Sequence, residues 1–458
     1  MSDINLPDSW LEIELSGVAD VSSGIGFPLQ HQGQSKGEIG FFKVGDISIA
    51  VKDNNGILEN AQHYVSTNVA QILKGKPIKA GATVFAKIGE AIHLNRRAIV
   101  KTDCLVDNNV MSVKAKLGAM DKYVHYFLRT TDFSEQARST TVPSIRKGDV
   151  ETLQFPLAPL PEQKRIADKL DTVLARVDAC RERLNRVPLI LKRFKQSVLA
   201  AATSGKLTED WRIKNVDISW ADVKLEDVLR EKPRNGYSPK AVDYETSVRS
   251  LTLSATTSGK FIGKHCKFID ESIPSTSHLW LNPGDILVQR ANSLEYVGVS
   301  AIFDGSINTF IYPDLMMKCR ANERILTSYL FIVLSAEATR NYFRENATGT
   351  AGNMPKINQQ TVASVPVQLP PIEEQQEIVH RVETLFAFAD RLEARLSTAR
   401  NAAERLTPAL LAKAFRGELV PQDPNDEPAS LLLQRLAENQ GITNAKPGRG
   451  RTSKKEAI

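Results

Sequence analysis

The side chains best suited to chemistry in this chain are cations and amides that follow two apolar segments. Lys87 follows the first segment, with Arg96 and Arg97 close behind, and Arg290 and Asn292 follow the second. Arg and Lys can hydrogen-bond the edge of guanine in the major groove of DNA, and Asn can bond adenine. These residues therefore favour hydrogen bonding to nucleic acid, although ordinary solvated surface cations would give the same pattern.

A second group of such side chains lies in short polar loops. Arg146 and Lys147 lie in one loop, and Lys356 and Asn358 occupy the equivalent loop about 212 residues later. Arg234 lies in a third stretch, whose composition is that of a turn. These residues could hold phosphates or bases, or they could simply fold the loops.

Motifs for catalysis are missing from the sequence. There is no Asn-Pro-Pro-Phe motif of amine methyltransferases and no Gly-x4-Gly-Lys-Ser/Thr phosphate loop. Pro313, Asp314 and Lys318 resemble a nuclease signature but lack its second acid, and the 7 histidines show no metal or triad spacing. The sequence thus predicts a non-catalytic binding subunit, without a cofactor or metal of its own. A fused DNA methyltransferase or nuclease is the enzymatic alternative.

Bulk composition limits the class of protein. The 458 residues suggest about three domains, and 42% hydrophobic with 24% charged residues is usual for a globular protein. A net charge of +6 permits a polyanionic partner without requiring one. The N-terminus lacks signal-peptide features, no apolar run is long enough for a bilayer, and the 4 cysteines are far apart. We therefore expect a cytoplasmic protein with no membrane contact.

An internal repeat supplies the elements that position these residues. Residues 159–163 (Pro-Leu-Pro-Glu-Gln) and 371–375 (Pro-Ile-Glu-Glu-Gln) lie 212 positions apart and align without a gap. Further identities at this offset are Ile166 with Ile378, Asp178 with Asp390, Arg183 with Arg395 and Gly205 with Gly417. Two consecutive half-molecules usually present two similar surfaces to a ligand with two similar halves.

Both copies carry a heptad pattern of apolar residues, which predicts two long helices that form a coiled coil. The predicted seam of the first copy runs from Ile166 to Val198 and includes Cys180, and that of the second runs from Ile378 to Leu410 and includes Leu406. Two unrelated amphipathic helices are the alternative. At about 1.5 Å per residue the first seam spans roughly 48 Å, or about 14 base pairs of DNA.

Glycines and prolines mark the ends and the middle of these helices. Gly205 and Gly417 stand where C-terminal glycines stop helices. Pro188 and Pro408 fall inside the pattern and should kink each helix or divide it in two. Charged residues outside the seam, Glu162 among them, are expected on solvated faces.

The fold class that follows is α+β, with two similar globular domains joined by the two helices under pseudo-two-fold symmetry. Short alternating runs predict strands at residues 41–44, 83–86, 98–100, 249–253, 285–288 and 297–303, with helices at 121–128 and 328–334. The expected parts are a first arm (1–157), a helical region (158–212), a second arm (213–366), a second helical region (367–423) and a flexible tail (424–458).

This layout resembles the specificity subunit of a type I restriction–modification system over essentially the whole chain. The resemblance rests on the repeated motifs at 159–163 and 371–375, on residues 284–287 (Gly-Asp-Ile-Leu) and on the helix ends at 199–207 and 411–419. Each motif alone is moderately specific. Two copies at one offset, in the order arm–helix–arm–helix, make the match strong.

The resemblance implies a DNA-binding subunit of a host-defence system, in which the two long helices form an antiparallel coiled coil between the two arms. Each arm would be a target recognition domain that reads one block of a split, asymmetric double-stranded DNA sequence. Two modification subunits would bind the chain to form an adenine methyltransferase, and two restriction subunits would add translocation and cleavage. S-adenosylmethionine, ATP and Mg²⁺ are expected on those partner subunits. A coiled-coil scaffold whose arms bind proteins is the remaining alternative.

Overall fold

The computed structural model describes residues 6–135, 142–215, 219–349 and 354–444. The chain forms two compact units, the first made of residues 1–183 and 400–458 and the second of residues 184–399. Each unit combines one arm with part of both long helices.

In the described residues before Glu209, the first arm and the long helix that follows it contain ten strands and five α-helices. The strands are β1 (Leu11–Glu14), β2 (Ala19–Ser23), β3 (Ile39–Phe42), β4 (Ile57–Leu58), β5 (His63–Val65), β6 (Thr83–Ala86), β7 (Ala98–Val100), β8 (Leu105–Val106), β9 (Val110–Ala115) and β10 (Gln154–Leu157). The helices are α1 (Val44–Asp53), α2 (Thr67–Ile72), α3 (Asp121–Thr130), α4 (Lys147–Glu151) and α5 (Leu160–Thr203), the last of which continues into the second unit.

The second unit has a similar set of strands and ends in the same way, with a short helix, a strand and a long helix. After α6 (Glu209–Lys214), its strands are β11 (Ala221–Lys224), β12 (Arg234–Asn235), β13 (Ala241–Val242), β14 (Val248–Leu251), β15 (Cys266–Ile269), β16 (Ile286–Gln289), β17 (Ser300–Ile302), β18 (Phe310–Ile311), β19 (Met316–Cys319) and β20 (Pro366–Leu369). Its helices are α7 (Thr327–Ser335), α8 (Glu337–Glu345), α9 (Gln359–Ala363) and α10 (Ile372–Ala414), the last of which continues into the first unit, where α11 (Ala429–Asn444) follows.

The two arms share most of their sheet topology, and in the described residues each arm has one strand without a counterpart, β4 in the first and β13 in the second. In the first arm the strand orders are β2-β9-β6-β7-β4, β5-β3-β8 and β1-β10, and in the second they are β12-β19-β16-β17, β13-β15-β14-β18 and β11-β20. Each arm contains the same parallel pair, β3 with β8 and β14 with β18. The prediction of two copies of one α+β fold is confirmed.

Most predicted elements lie where the alternating patterns placed them. The strands predicted at 83–86 and 98–100 have the observed bounds, and α3 and α7 cover the two predicted arm helices. The glycines in the turns before β6 and β16 both have positive φ, 85° at Gly81 and 90° at Gly284. The turn is therefore alike in both arms, although Gly81 is followed by Ala-Thr and Gly284 by Asp-Ile. One difference is Val44, which begins α1 instead of ending a strand.

The long helices are continuous and run antiparallel within each unit. In the first unit Arg181 of α5 donates to the carbonyls of Ala403 and Glu404, and in the second Lys195 of α5 pairs with Asp390 at 2.8 Å. Gly205 and Gly417 take positive φ just after the helices, as predicted.

The interior prolines do not divide the helices. Pro188 lies within the 44 residues of α5 and Pro408 within the 43 residues of α10. Of the two outcomes expected for these prolines, a division therefore does not occur, and the kink stays a prediction. A long helix can absorb one missing hydrogen bond when its other turns are held by packing on both sides.

The buried face of these helices is wider than a strict heptad seam. Ile166, Leu170 and Val177 are buried as predicted, whereas Cys180 is exposed and Leu406 is 45% exposed, so these two predictions are wrong. Leu174, outside the predicted seam, is buried instead. The reason is that the helix ends also pack on an arm core, and a helix covered by a domain buries a broader stripe than a coiled-coil helix does.

The segment after residue 423 also differs from the prediction of a flexible tail. Helix α11 begins at Ala429, whose main-chain N–H donates to the Ser9 carbonyl at 2.9 Å. Leu432 and Leu436 lie in the first unit's core, and Asp426 accepts hydrogen bonds from Arg165. Residues 424–444 therefore complete the first unit, and residues 445–458 lie outside the described part of the chain.

A buried glutamate joins each arm to the start of a long helix. Glu162 accepts a hydrogen bond from the Trp10 indole at 2.9 Å and from Gln422, and Glu374 accepts one from the Trp220 indole at 2.8 Å. We call these two arrangements the Trp–Glu clasps. Each clasp fixes the tryptophan beside the two-stranded sheet, β1-β10 or β11-β20.

The two clasps differ in their further partners. Glu374 also accepts from the Thr208 hydroxyl at 2.6 Å and from Arg212 at 2.7 Å, and its side chain is 0% exposed. In the first unit burial raises the pKa of Glu162, and its hydrogen bonds from Trp10 and Gln422 only partly oppose this. The expectation that Glu162 lies on a solvated face is therefore wrong.

Candidate nucleic-acid interface

The strand-end cation and the polar loop come together in both arms. In the first arm the main-chain N–H of Ile145 donates to the Lys87 carbonyl at 2.9 Å, and in the second the N–H of Ile357 donates to the Arg290 carbonyl at 2.9 Å. Equivalent isolated bridges lie beside them, from Ile88 to Ser144 and from Ala291 to Lys356. The two groups of candidates separated in the sequence thus form one surface in each arm.

In the first arm this surface is cationic. Arg146 and Lys147 are exposed at the start of α4, and Lys87 is partly exposed beside them. The carboxylate of Asp149 accepts a hydrogen bond from the Arg146 main-chain N–H at 3.2 Å and so fixes the start of the helix. Lys147 pairs with Glu151 at 3.3 Å, an exposed contact that a phosphate could replace at little cost.

In the second arm several candidates already have internal partners. Arg290 donates to the Asp314 carbonyl at 3.2 Å. The Asn292 amide donates to Gln289 at 2.7 Å, and its oxygen accepts from the Ser293 N–H. The Asn358 side chain caps α9, accepting from the Thr361 N–H at 2.7 Å. Asn292 and Asn358 would each have to give up one such bond to read adenine with both amide atoms.

The structure places the two remaining candidates of the second arm, Arg234 and Lys356, on strand-like segments. Arg234 does not lie in a turn, because it begins β12, which pairs with β19. Its side chain is half exposed and pairs with Glu231 at 2.8 Å. Lys356 has an exposed side chain, while its main chain exchanges hydrogen bonds with Thr348 at 2.8 and 2.9 Å.

Arg97 faces the interior and is removed from the candidate contacts. It is 6% exposed, its guanidinium donates to the carbonyls of Leu128 and Thr131, and it lies 4.4 Å from the ring centroid of Phe133. Burial lowers the pKa of Arg97 to about 9. Sequence could not separate it from Arg96, which is partly exposed, because the burial depends on α3.

An open cleft in the second arm gathers residues that sequence reasoning did not connect. The cleft has a volume of about 500 Å³. Its lining residues are Lys232, Pro233, Arg234, Asn235, His278 and Gln359. Only Arg234 among them was singled out by the sequence. Gln359 stood in a polar loop, but nothing in the sequence linked that loop to residues more than 80 positions away.

Two further properties concern the described parts of the chain. None of the helices there is both long and apolar enough to cross a membrane. Within the same ranges, no three histidine, cysteine, aspartate or glutamate side chains cluster in a way that could hold a metal ion.

These features define a duplicated α+β protein with one polar, partly cationic recognition surface per repeat. The model of the family described as "Type I restriction modification DNA specificity domain" matches residues 7–189 and again residues 218–399. The chain therefore belongs to the family of type I restriction–modification specificity subunits.

Several characterised relatives are similar over most of their length. The EcoKI specificity subunit of Escherichia coli (strain K12) is 35% identical over 324 residues, which cover 68% of this chain and 69% of that protein. The EcoDI specificity subunit of Escherichia coli is 30% identical over 71% of this chain and 78% of its own. The EcoBI specificity subunit of the same species is 27% identical and covers 97% of this chain and 95% of its own.

Solved structures share the fold. The HsdS subunit from Thermoanaerobacter tengcongensis superimposes with a TM-score of 0.60 at 20% identity, covering 91% of this chain and 99% of that one. A chain from a study of complex assembly and conformational transition of the type I restriction–modification system gives a TM-score of 0.63 at 18% identity, covering 91% and 100%.

Proposed function

We propose that this specificity subunit reads a bipartite, asymmetric DNA target, with one block read by each arm. The observation that carries the proposal is that equivalent positions of one frame bear different side chains. The loop held by the strand-end cation presents Arg146 and Lys147 in the first arm and Asn358 and Gln359 in the second. Because cations favour guanine or phosphate and amides favour adenine, the same fold would read two different sequences.

The long helices supply the spacing in this proposal. The start of each helix is tied to its arm by a Trp–Glu clasp, through Trp10 with Glu162 and Trp220 with Glu374. A buried hydrogen bond between two otherwise well-packed elements limits their relative motion. The gap between the two DNA blocks would therefore be set by helix length.

The decisive experiment is a binding selection of the full chain on a random duplex library, followed by sequencing. Wild-type protein should enrich two short blocks separated by a fixed gap. The double variant R146A/K147A should lose the preference for one block, and R234A/R290A should lose the preference for the other. Enrichment of a single continuous site, or loss of both blocks in each variant, would contradict the proposal.

The catalytic steps belong to partner subunits in this proposal. Two modification subunits would bind the chain and carry S-adenosylmethionine, and two restriction subunits would use ATP and Mg²⁺. No residue of this chain is assigned to hold those groups. Binding of S-adenosylmethionine by the isolated chain, measured by calorimetry, would instead favour the fused methyltransferase alternative.

The surface of the long helices suits the scaffolding role. In the second unit Leu189, Ile190 and Phe388 are 54%, 59% and 49% exposed, although each is large and apolar. Leu189 and Ile190 are adjacent in α5, and neighbouring exposed apolar side chains commonly mark protein contacts. Asp390, by contrast, pairs with Lys195 at 2.8 Å, so its carboxylate is engaged within the chain.

Co-purification with the modification subunit tests this role. Leu189→Asp with Ile190→Asp should weaken capture of that subunit while leaving DNA block preference unchanged. The exposed polar pair Lys192→Asp with Arg193→Asp, on the same helix, is the control for a general charge effect. Equal loss of capture in both variants would show that charge, and not the apolar surface, governs the contact.

A further inference from the structure

The cleft of the second arm brings together two kinds of side chain. Lys232 and Arg234 bring positive charge from the strand side, and Gln359 brings a neutral amide from the first residue of α9. His278, which comes between Arg234 and Gln359 in the sequence, also lines the cleft. A cation beside an amide is the combination that contacts a DNA backbone and a base edge together.

The walls of the cleft are held firmly in place. Arg234 pairs with Lys318 and Asn235 with Met317 in the β12-β19 ladder. The carbonyl of His278 accepts a hydrogen bond from the ammonium group of Lys318, whose side chain is 3% exposed. This anchoring orders the strand side of the cleft before any ligand arrives, which lowers the entropy lost on binding.

The helix side of the cleft is ordered by a separate set of contacts. Asn358 caps α9 through the Thr361 N–H, and Ile357 donates to the Arg290 carbonyl. Gln359 follows directly and its side chain is exposed. Within the described ranges, no group forms a hydrogen bond with the Gln359 amide. Its oxygen and its NH₂ group are therefore both available to a ligand.

The first arm carries the opposite distribution of charge on the same frame. Sheet register makes Ser22, opposite Ser112 on β9, the counterpart of Arg234, opposite Lys318 on β19. Helix α4, which packs against β2, starts with Lys147 where α9 starts with Gln359. At these equivalent positions the first arm thus has a neutral strand residue and a cationic helix start, and the second has a cationic strand residue and an amide helix start.

We infer that Gln359 is a specificity-determining residue of the second arm, which reads an adenine in the major groove while Lys232 and Arg234 hold the adjacent phosphates. This inference rests on the proposed function. A Gln amide can accept from adenine N6 and donate to N7 at once, and no other base offers that pair of groups in the major groove. Arg234 would exchange its pairing with Glu231 for a phosphate, an exchange between two exposed ion pairs.

The test compares Gln359→Lys with wild-type protein in the binding selection on random duplexes, using the full chain. A lysine offers donors only, so it suits guanine and not adenine. Q359K should lose an adenine at one position of one block, with the other block and the gap unchanged. In competition binding, the preference of wild type for adenine at that position should fall by about tenfold to hundredfold.

Gln360→Lys is the matched control, because it adds the same charge one residue further on. Gln360 is exposed, donates to the Ser364 hydroxyl at 2.8 Å and does not line the cleft. Circular dichroism melting should show that both variants fold. Should Q359K melt early, Q359A provides the same loss of the amide without added charge.

Each result of the selection has a distinct meaning. A base change confined to one block in Q359K, and absent in Q360K, supports the inference. An unchanged consensus in Q359K, or the same change in Q360K, overturns the role of Gln359 and leaves the two-block function standing. Failure of wild-type protein to enrich two blocks overturns the proposed function, and the inference with it.

Discussion

Replacing Glu374 with alanine should loosen the junction between the second arm and the start of α10. The substitution leaves the Trp220 indole and the Thr208 hydroxyl without this acceptor, and among the described residues the Arg212 guanidinium keeps only the Gly205 carbonyl. Breaking a buried ion pair by removing one partner costs about 3–5 kcal/mol, and a stranded neutral donor costs about 1–3 kcal/mol. Because the Arg212 side chain is 25% exposed, water can solvate part of it. We therefore expect a local loss near the lower end, about 3 kcal/mol.

Hydrogen–deuterium exchange of the full chain, read by mass spectrometry, measures this loss where it occurs. A change of about 3 kcal/mol corresponds to roughly 150-fold faster exchange in strands that open locally. The acceleration should appear in β11 and β20. Strands β1 and β10 of the first unit, held by Glu162, are an internal control within the same sample.

A matched substitution separates the clasp from a general effect of losing a carboxylate. Glu373 precedes Glu374 in α10 and is exposed, so Glu373→Ala should leave the exchange of β11 unchanged. An acceleration of β11 by less than about threefold in E374A would refute the view that the clasp holds this strand. So would equal acceleration of β1, since no contact of Glu374 reaches that strand.

Four further predictions follow from single contacts. Asn358→Ala removes the cap of α9 and should destabilise that helix by about 1 kcal/mol, measured by hydrogen exchange, whereas Asn358→Ser should keep the cap. If both variants change the base preference equally, Asn358 contacts a base directly and does not act only as a cap. Burial lowers the pKa of His125 to about 3. In the unfolded chain this side chain has a pKa near 6.5, so on acidification the unfolded state takes up the proton first. As the pH is lowered through about 6.5 the free energy of unfolding should therefore decrease, by about 2 kcal/mol at pH 5. Urea denaturation at several pH values measures this decrease, which should be smaller in His125→Gln. Arg290→Ala should weaken DNA binding by about 1–3 kcal/mol through the loss of one base preference. Lys147→Ala should weaken binding to all sequences alike and make the salt dependence of binding shallower. If R290A weakens binding to specific and random DNA equally, Arg290 is a phosphate contact. Lengthening both long helices by one heptad should change the preferred gap and not the blocks, and an unchanged gap in the binding selection would contradict the role of helix length.

Regular elements were predictable because their signals are local. The strand at 83–86 is a short, mostly apolar run that follows turn residues. The glycine before it, Gly81, has a positive φ that few other residues adopt. The long helices follow from heptads that persist across Pro188 and Pro408, and the structure keeps each helix continuous through its proline. What a helix tolerates at one residue depends on how its other residues are packed.

Side-chain roles were predictable only where neighbours in the sequence decide them. Arg96 and Arg97 are adjacent and chemically identical, yet only Arg97 is buried, because α3 supplies the carbonyls that it bonds. Glu162 looked like a solvated acid, and it is buried because Trp10, 152 residues earlier, donates to it. The repeated Trp and Glu residues were visible in the sequence, but their pairing was not.

The sequence by itself determined the duplication: one offset of 212 residues carries both long helices and both polar loops. Local patterns suffice for this, since helix and strand periods depend on neighbouring residues. Only the tertiary structure decided which cations face solvent, how α11 closes the first unit, and that Gln359 shares a cleft with Arg234. Burial and proximity depend on residues far apart in the chain, whose meeting the sheet register and the helix packing fix together.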